Sequence, residues 1–258
     1  MDDAAIHTLN ALNRDFYEAH GRSFSQTRQG PWPGWERIVD TLAGRWAGKG
    51  SLSLCDVAAG NGRFESYAVA AYPETPWVFT CLDGNGGLLR EAAAREELEP
   101  YPLHVIEGDA LDDAAIPAVP GGFDAVVSFG FLHHIPGYAA RRSFLEACLS
   151  SVAPGGMVAF SFWRFADDEV LGPKAAASTE RALESMGMAL EPGDYLLGWQ
   201  GDETRCRYCH SFDDGELDRL AAQVEPFGCL VDRFRADGRS GALNEYLVFA
   251  AEPPAHSV

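Results

Sequence analysis

The 258-residue sequence carries little positive charge and no long apolar run. Lys49 and Lys174 are its only lysines, and its formal net charge is −18 at pH 7. An acidic chain gains nothing from its overall field on approaching a nucleic acid, so the charge counts against such a partner. No apolar stretch reaches the about 20 residues of a membrane-spanning helix. The segment MDDAAIHTLN is acidic where a secretory leader would be basic. We therefore expect a soluble, cytoplasmic protein with no membrane partner.

Cysteine is sparse, and its positions do not predict a disulfide framework. The six cysteines fall mostly within apolar segments, where buried, reduced thiols are the usual state. The exception is CRYCH at Cys206–His210, which matches a haem-attachment pattern. Haem attachment usually requires export, of which the sequence gives no sign. A zinc site would need two further ligands at suitable spacing, and none lies nearby. The sequence therefore predicts no metal site.

A dinucleotide fingerprint is also absent, although a small-residue turn stands where one would lie. Leu52–Phe64 (LSLCDVAAGNGRF) has the pattern of a short strand, a turn and the start of a helix. Glu65 occupies the third glycine position of G-x-G-x-x-G, which argues against a pyrophosphate site. A turn of small residues still lets a ligand lie against bare backbone beside a helix N-terminus. The alternative is an ordinary turn that binds nothing. The candidate cofactor residues here are Asp56, Ala58, Gly60 and Gly62.

An acid ends each of the next two predicted strands. Asp83 closes WVFTCLD about 20 residues past the turn, where a carboxylate can accept hydrogen bonds from ribose hydroxyls. Asp109 follows Leu103–Ile106 and is a candidate acceptor for an adenine amino group, or alternatively a turn residue or helix cap. A cofactor that carries a ribose but no pyrophosphate fits both observations.

Two histidines follow the fourth predicted strand, in the segment SFGFLHHIP. Strand ends in an open parallel sheet line the ligand crevice, so His133 and His134 are candidate site residues. We expect one of them to face the substrate and the other to be structural. Strands and helices alternate up to Met157–Trp163, which is typical of a doubly wound sheet. After Trp163 a predicted helix at Lys174–Met186 precedes a long loop.

These motifs together resemble the class I S-adenosylmethionine-dependent methyltransferases. The resemblance rests on D-x-A-x-G-x-G after a strand, the acid ending the next strand, Gly108-Asp109-Ala110, and the strand FDAVVS at Phe123–Ser128. The family has glycine where Ala58 stands. The resemblance implies an α/β fold: a doubly wound, seven-stranded, Rossmann-like sheet with a terminal antiparallel hairpin, an N-terminal helical cap and an insertion after the fifth strand.

The same resemblance implies one domain and one cofactor. The domain spans 1–258, with a cap at 1–50, a cofactor-binding core at 51–163, a substrate-side insertion at 164–210 and a terminal helix and hairpin at 211–251. The cofactor is S-adenosyl-L-methionine, with S-adenosyl-L-homocysteine as product. The N-terminal segment either caps the core or lids the cofactor, with Arg28 then pairing the methionyl carboxylate. The further cofactor residues are Tyr17, Gly84, Ala110, Ser128 and Phe129.

A narrower resemblance, to the tRNA wobble-uridine carboxymethyl methyltransferases, extends over nearly the whole chain. It rests on FYEAHGRSFSQTRQGPWPGW, SFGFLHHI, GDYLLGW and the segment Arg207–His210. Cys209 replaces an aromatic residue of that family, and Gly198 replaces a proline. The resemblance implies methyl esterification of 5-carboxymethyluridine in tRNA, and a small zinc-containing activator subunit as partner. The alternatives are an O- or N-methyltransferase of a small metabolite and a non-catalytic cofactor-binding protein.

Methyl transfer to a carboxylate makes few demands on catalytic groups. The acceptor is already ionised at neutral pH, so no general base is required. The protein must place the acceptor in line, exclude water and hold the carboxylate with a counter-charge. We predict Arg207, His210 and His134 for that clamp. A phenol or amine acceptor would instead require His133 or His134 as a base.

Overall fold

The computed structural model describes residues 1–26, 30–46, 50–112, 115–186, 188–200 and 202–251. Within these ranges the helices are α1 (Asp3–Gln26), α2 (Gly34–Trp46), α3 (Arg63–Ala71), α4 (Gly86–Ala93), α5 (Tyr138–Ser150), α6 (Leu171–Met186) and α7 (Asp214–Val224). The strands are β1 (Leu52–Val57), β2 (Trp77–Asp83), β3 (Leu103–Glu107), β4 (Phe123–Ser128), β5 (Val152–Trp163), β6 (Asp194–Trp199), β7 (Asp202–His210), β8 (Cys229–Ala236) and β9 (Asn244–Ala250). A short 3₁₀ turn, Leu132–His134, follows β4.

Seven strands form one sheet in the order β3-β2-β1-β4-β5-β9-β8. Strands β1 to β5 are parallel, and β9 runs antiparallel to both β5 and β8. The chain winds outward from β1 to β3 and then returns to the other side through β4 and β5. The carboxyl ends of β1 and β4 therefore meet where the winding reverses, which is where open α/β sheets bind ligands. The predicted doubly wound sheet with a terminal antiparallel hairpin is confirmed.

Apolar side chains cover both faces of this sheet. Strand β1 contributes to both, because successive side chains point to opposite faces. Leu52 and Leu54 pack in the cluster that α2 and α3 complete, whereas Cys55 and Val57 pack in the cluster that α5 and α7 complete. By the same alternation Asp56 points to the face that α3 covers.

The insertion after β5 contains an antiparallel strand pair, β6 and β7, where the sequence predicted only a loop after α6. Leu196 and Tyr208 of this pair pack against Leu9 of α1, which buries one side of the pair. Strand β5 also begins earlier than predicted, at Val152, and its pairing with β4 shifts register between Phe123 and Ala125.

Helix α1 lies across the carboxyl ends of the parallel strands. Near its start, Ile6 lies 3.4 Å from where a Cβ on Gly137 would be, just before α5. Near its end, a Cβ on Gly21 would lie 3.2 Å from Nδ2 of Asn85, the N-cap of α4. The helix therefore spans the crevice from the α5 side to the α4 side. Of the helices in the described ranges, none combines the length and hydropathy needed to cross a bilayer.

Candidate functional site

A cavity of about 840 Å³ lies between the strand ends and α1. Its volume is typical of small-molecule and cofactor sites. One wall consists of the loops that follow β1, β2, β3 and β4. The other wall is a single face of α1, because its lining residues repeat at helical spacing. The predicted residues that line the cavity are Tyr17, Asp56, Ala58, Gly60, Asp83, Gly84, Asp109, Ala110, Phe129 and His134.

The N-terminal segment takes part in both alternatives that the sequence left open: α2 packs on the core, and α1 forms a wall of the cavity. Arg28, predicted to pair a methionyl carboxylate, lies outside the described residues.

The turn after β1 depends on backbone conformations that favour glycine. Gly60 has φ +60° and Gly62 has φ +74°. A Cβ on Gly60 would meet no heavy atom within 4 Å, so the backbone there is open to a ligand. A Cβ on Gly62 would lie 2.9 Å from the Cβ of Ala92 in α4. Gly62 is not among the residues that line the cavity, and its place is one of close packing against α4.

Asp83 joins the end of β2 to this turn. Its Oδ2 accepts a hydrogen bond from the Gly60 N–H at 2.8 Å, and its Oδ1 accepts one from the Asn85 N–H at 2.8 Å. Burial raises the pKa of Asp83, and the two backbone hydrogen bonds oppose that rise. Each carboxylate oxygen retains a lone pair, which suits a second hydrogen bond from a ribose hydroxyl. The arrangement fits the nucleoside of the implied cofactor.

Asp109 lies at the cavity and also forms a local turn. Its Oδ1 accepts a hydrogen bond from the Leu111 N–H at 3.0 Å, which is the turn role that the sequence kept as an alternative.

Phe129, directly after β4, lines the cavity and packs edge-on against Phe64, with the two ring centroids 4.9 Å apart. Ser128 is fully buried one residue earlier and does not line the cavity.

His134 is the histidine of the pair that reaches the cavity. Its Nδ1 lies 3.0 Å from the carbonyl oxygen of Tyr208, which can only accept, so Nδ1 carries the proton. In the neutral ring Nε2 then accepts a hydrogen bond from the Tyr17 hydroxyl at 2.7 Å. His133 instead packs against Trp163, with ring centroids 4.9 Å apart, and is absent from the cavity lining. His134 therefore lines the cavity and His133 does not, and which of them faces a substrate stays a prediction.

Arg207 and His210 lie outside the cavity lining, contrary to the predicted clamp. Arg207 is 4% exposed beneath α1, with its guanidinium carbon 5.0 Å from the Phe16 ring centroid. Burial opposes its charge, but Tyr17 and Cys209 outweigh burial and raise the pKa of Arg207. His210 is held between Asp194 and Glu216 by hydrogen bonds of 2.7 Å to each carboxylate. The geometry gives both residues supporting positions within the insertion.

Two arginines that sequence reasoning missed do line the cavity. Arg14 lies one turn before Tyr17 on the same face of α1 and has no ion-pair partner among the described residues. Arg63 begins α3 and lies over Trp32 and Trp35, 5.7 and 5.4 Å from their ring centroids. Helical spacing from Tyr17 was the signal for Arg14. For Arg63 the signal was its position directly after the glycine turn.

His133, His134 and Cys209 bring three potential ligand atoms within 4.8 Å of one another. The sequence predicted no metal site because residue spacing alone does not show that β7 runs beside the turn after β4. Both ring nitrogens of His134 are engaged in hydrogen bonds, and Arg207 lies against Cys209. These contacts give His134 and Cys209 partners within the protein.

Comparison with known proteins matches residues 55–158 to the family described as a methyltransferase domain. A protein of Encephalitozoon cuniculi named as a methyltransferase is 26% identical over 212 residues, covering 82% of this chain and 85% of that protein. Two proteins named tRNA (carboxymethyluridine(34)-5-O)-methyltransferase also match. The protein from Macaca fascicularis is 24% identical, with 63% of this chain and 21% of that protein covered. The protein from Schizosaccharomyces pombe is 22% identical, with 61% and 60% covered.

Solved structures share the fold. Magnesium protoporphyrin IX methyltransferase from Synechocystis, with bound S-adenosyl-L-homocysteine, has a TM-score of 0.58 at 15% identity and covers 93% of this chain and 98% of its own. A methyltransferase from Methanosarcina mazei has a TM-score of 0.59 at 14% identity, with 79% and 93% covered. Residues 55–158 thus match a methyltransferase domain, and the chain shares its fold with solved S-adenosylmethionine-dependent methyltransferases.

Proposed function

We propose that this methyltransferase esterifies the carboxylate of 5-carboxymethyluridine at the wobble position of tRNA. Support comes from the two relatives that carry this activity in their names, over 63% and 61% of this chain. Because the matched regions are 21% and 60% of those proteins, the substrate does not follow from similarity alone. The hydrogen bonds of His134 and the charge of Arg14, both at the cavity, supply an independent physical argument.

The observation that carries the proposal is the hydrogen bonding of His134. Its Nε2 accepts from Tyr17 and its Nδ1 donates to a backbone carbonyl, so the imidazole is not poised to remove a proton from an acceptor. A phenol or amine acceptor would need such a base, whereas a carboxylate is ionised before it arrives. The site therefore suits a nucleophile that needs placement rather than deprotonation.

Arg14 supplies the positive charge that a carboxylate acceptor requires. It lines the cavity from α1 without an ion-pair partner among the described residues, so its guanidinium is available to an anion. A bidentate arginine pair fixes the plane of a carboxylate and so orients the attacking oxygen. S-adenosylmethionine, when bound, supplies a methyl group on a sulfonium. Transfer of that methyl group to the carboxylate oxygen, with the electrons of the carbon–sulfur bond left on sulfur, would need no proton transfer, so Arg14 has only to hold and orient the acceptor.

Labelled methyl transfer tests the proposal and the role of Arg14 together. We expect the purified chain to transfer a labelled methyl to tRNA bearing 5-carboxymethyluridine, as an ester released by mild alkali. Arg14→Ala should raise the KM for that tRNA about tenfold, the usual scale for a lost hydrogen bond to a charged group. Arg45→Ala, an exposed arginine at the end of α2, is the matched control and should leave the KM unchanged.

A different acceptor would contradict the proposal. Transfer to a small phenol, amine or carboxylic acid, with none to tRNA, would favour the small-metabolite alternative, which the net charge of −18 also favours. A steep fall of tRNA affinity with salt would accompany the expected result, because phosphate contacts release counterions.

A further inference from the structure

Two indole rings and a guanidinium group form one part of the cavity wall. Trp32 and Trp35 stack, with ring centroids 5.3 Å apart and ring planes inclined by 28°. The guanidinium carbon of Arg63 lies 5.7 Å from the ring centroid of Trp32 and 5.4 Å from that of Trp35. All three side chains line the cavity, and we call them the arginine–tryptophan cluster.

The arginine–tryptophan cluster lies between the glycine turn and the end of β4. Phe64, directly after Arg63 in α3, packs edge-on against Trp35 with ring centroids 5.5 Å apart. On the other side, a Cβ on Gly130, two residues after β4, would lie 3.0 Å from Cη2 of Trp32. The cluster therefore stands where the winding of the sheet reverses, which is where open α/β sheets bind ligands.

The Trp35 indole carries a buried donor that lacks an acceptor. Trp35 is 3% exposed, and its Nε1 atom has no hydrogen-bond partner among the described residues. An indole N–H can only donate, and buried donors in folded proteins are nearly always paired. Because Trp35 also lines the cavity, a ligand in the cavity is the acceptor that fits this donor.

Arg63 brings a half-buried positive charge to the same place. Its Nη1 donates to the Gly30 carbonyl at 3.1 Å, and it forms no ion pair with a carboxylate in the part of the chain that the structure describes. Burial and the charge of Arg95 lower the pKa of Arg63, whereas Asp56 opposes them. Asp56 is a poor counter-ion, because burial raises its own pKa well above the ordinary value. A guanidinium keeps its charge in proteins, so this one favours an anion in the cavity.

We propose that Arg63 and the Trp35 N–H together bind the methionyl carboxylate of S-adenosylmethionine. The ribose of that cofactor suits Asp83 at the end of β2, and its methionyl chain extends from the 5′ carbon of the same sugar. One carboxylate can accept from a guanidinium and an indole N–H at once, because its two oxygens offer about four lone-pair sites. The inference concerns the cofactor and holds for any acceptor, and it leaves Arg14 to the acceptor.

Calorimetry with two ligands that differ only in this carboxylate tests the proposal. S-adenosylhomocysteine carries it, whereas the decarboxylated analogue keeps the adenosine and the amino group. With the wild type we expect the carboxylate to raise the affinity about tenfold to a hundredfold, the scale of hydrogen bonds to a charged group. With Arg63→Gln the two ligands should bind almost equally, because only S-adenosylhomocysteine loses affinity.

The analogue also separates a failure of this proposal from other failures. Its unchanged affinity for Arg63→Gln would show that the variant is folded. If the carboxylate raises the affinity of the wild type and of Arg63→Gln by the same factor, the proposal is overturned and Arg28 remains the candidate for this role. Binding of neither ligand to the wild type would instead refute the cofactor site itself.

Trp35→Phe tests the second donor, since it removes the N–H and keeps an aromatic ring beside Trp32. We expect it to weaken S-adenosylhomocysteine binding about tenfold and to leave binding of the decarboxylated analogue unchanged. Arg219→Gln, at an exposed arginine of α7, is the matched control for Arg63→Gln and should bind both ligands as the wild type does. An equal loss of both ligands in Trp35→Phe would mean that the indole only packs in the cavity wall, contrary to the proposal.

Discussion

At the scale of single residues, the acids at the strand ends hold the backbone as well as line the cavity. The Asp83 carboxylate binds the N–H groups of Gly60 and Asn85, so one side chain connects the ends of β1 and β2 to the start of α4. Asp109 similarly accepts from Leu111 in its own loop. Such carboxylates preorganise a site, because the acceptors are positioned before the ligand arrives.

Replacement of Asp83 by alanine tests that double role. We expect Asp83→Ala to weaken S-adenosylhomocysteine binding by about a hundredfold or more, since hydrogen bonds to a charged group contribute about 1.5–3 kcal/mol each. Isothermal calorimetry measures the affinity, and thermal unfolding checks that the variant is folded. Asp112→Ala, at an exposed acid near Asp109, is the control. An unchanged affinity in the Asp83 variant would show that the nucleoside site lies elsewhere.

More of the residues predicted for the cofactor than of those predicted for the acceptor line the cavity. Asp56, Gly60, Asp83 and Asp109 follow strands, and topology alone brings the ends of parallel strands together. Arg207 and His210 were predicted as a clamp because a carboxylate acceptor needs a counter-charge and their segment carries the narrower family resemblance. Their burial depends on how β7 packs under α1, which short-range sequence pattern does not encode. Arg14 was missed because a single charged residue on a predicted helix carries no mark of its partner.

At the scale of elements, the contact between α1 and the strand β7 fixes the position of α1 at the cavity. Asn13 donates from Nδ2 to the His134 carbonyl at 3.0 Å, and its Oδ1 accepts from the Tyr208 N–H at 2.8 Å. One amide thus joins α1 to both the turn after β4 and the inserted strand pair. The helices and the seven-stranded sheet were predictable from periodicity and alternation. The β6–β7 pair was not, because its stability comes from packing against α1 and α6 rather than from its own sequence.

Removal of that amide should loosen α1 without removing its apolar contacts. We expect Asn13→Ala to lower the free energy of unfolding by about 1–3 kcal/mol, because it leaves a buried carbonyl and N–H without partners. Hydrogen exchange should accelerate in α1 and β7 before the central strands. Asn10→Ala, one turn earlier on the cavity face, should change neither quantity measurably. Equal exchange rates in the wild type and Asn13→Ala would show that Leu9 and Phe16 alone hold the helix.

At the scale of the whole molecule, a buried charge network joins the insertion to the core. His210 of β7 lies between Asp194 of β6 and Glu216 of α7, and Glu216 also accepts from Arg141 of α5 at 2.9 Å. Burial disfavours the His210 charge, but its two carboxylate partners outweigh burial and raise its pKa. Burial likewise opposes the charge of Glu216, but His210 and Arg141 outweigh it and lower that pKa. The network therefore makes folding stability depend on pH.

The pKa shifts of His210 and Glu216 affect folding stability at opposite ends of the pH range. The contribution of His210 is complete below its unfolded pKa of about 6.5 and is lost as pH rises through its higher folded value. The contribution of Glu216 is complete above its unfolded pKa of about 4.3 and is lost as pH falls through its lower folded value. The network should stabilise the fold most between about pH 4.3 and pH 6.5.

Denaturant unfolding of the wild type and His210→Gln, from about pH 5 to about pH 9, tests this interpretation. We expect the wild type to be the more stable by a margin that is largest below about pH 6.5 and shrinks steadily at higher pH. A neutral glutamine can donate to only one of the two carboxylates, so the variant should lack this dependence above pH 6.5, the ordinary histidine pKa. His7→Gln, at an exposed histidine of α1, controls for loss of an imidazole. A margin independent of pH would mean that folding leaves the pKa of His210 unchanged, and it would contradict this interpretation.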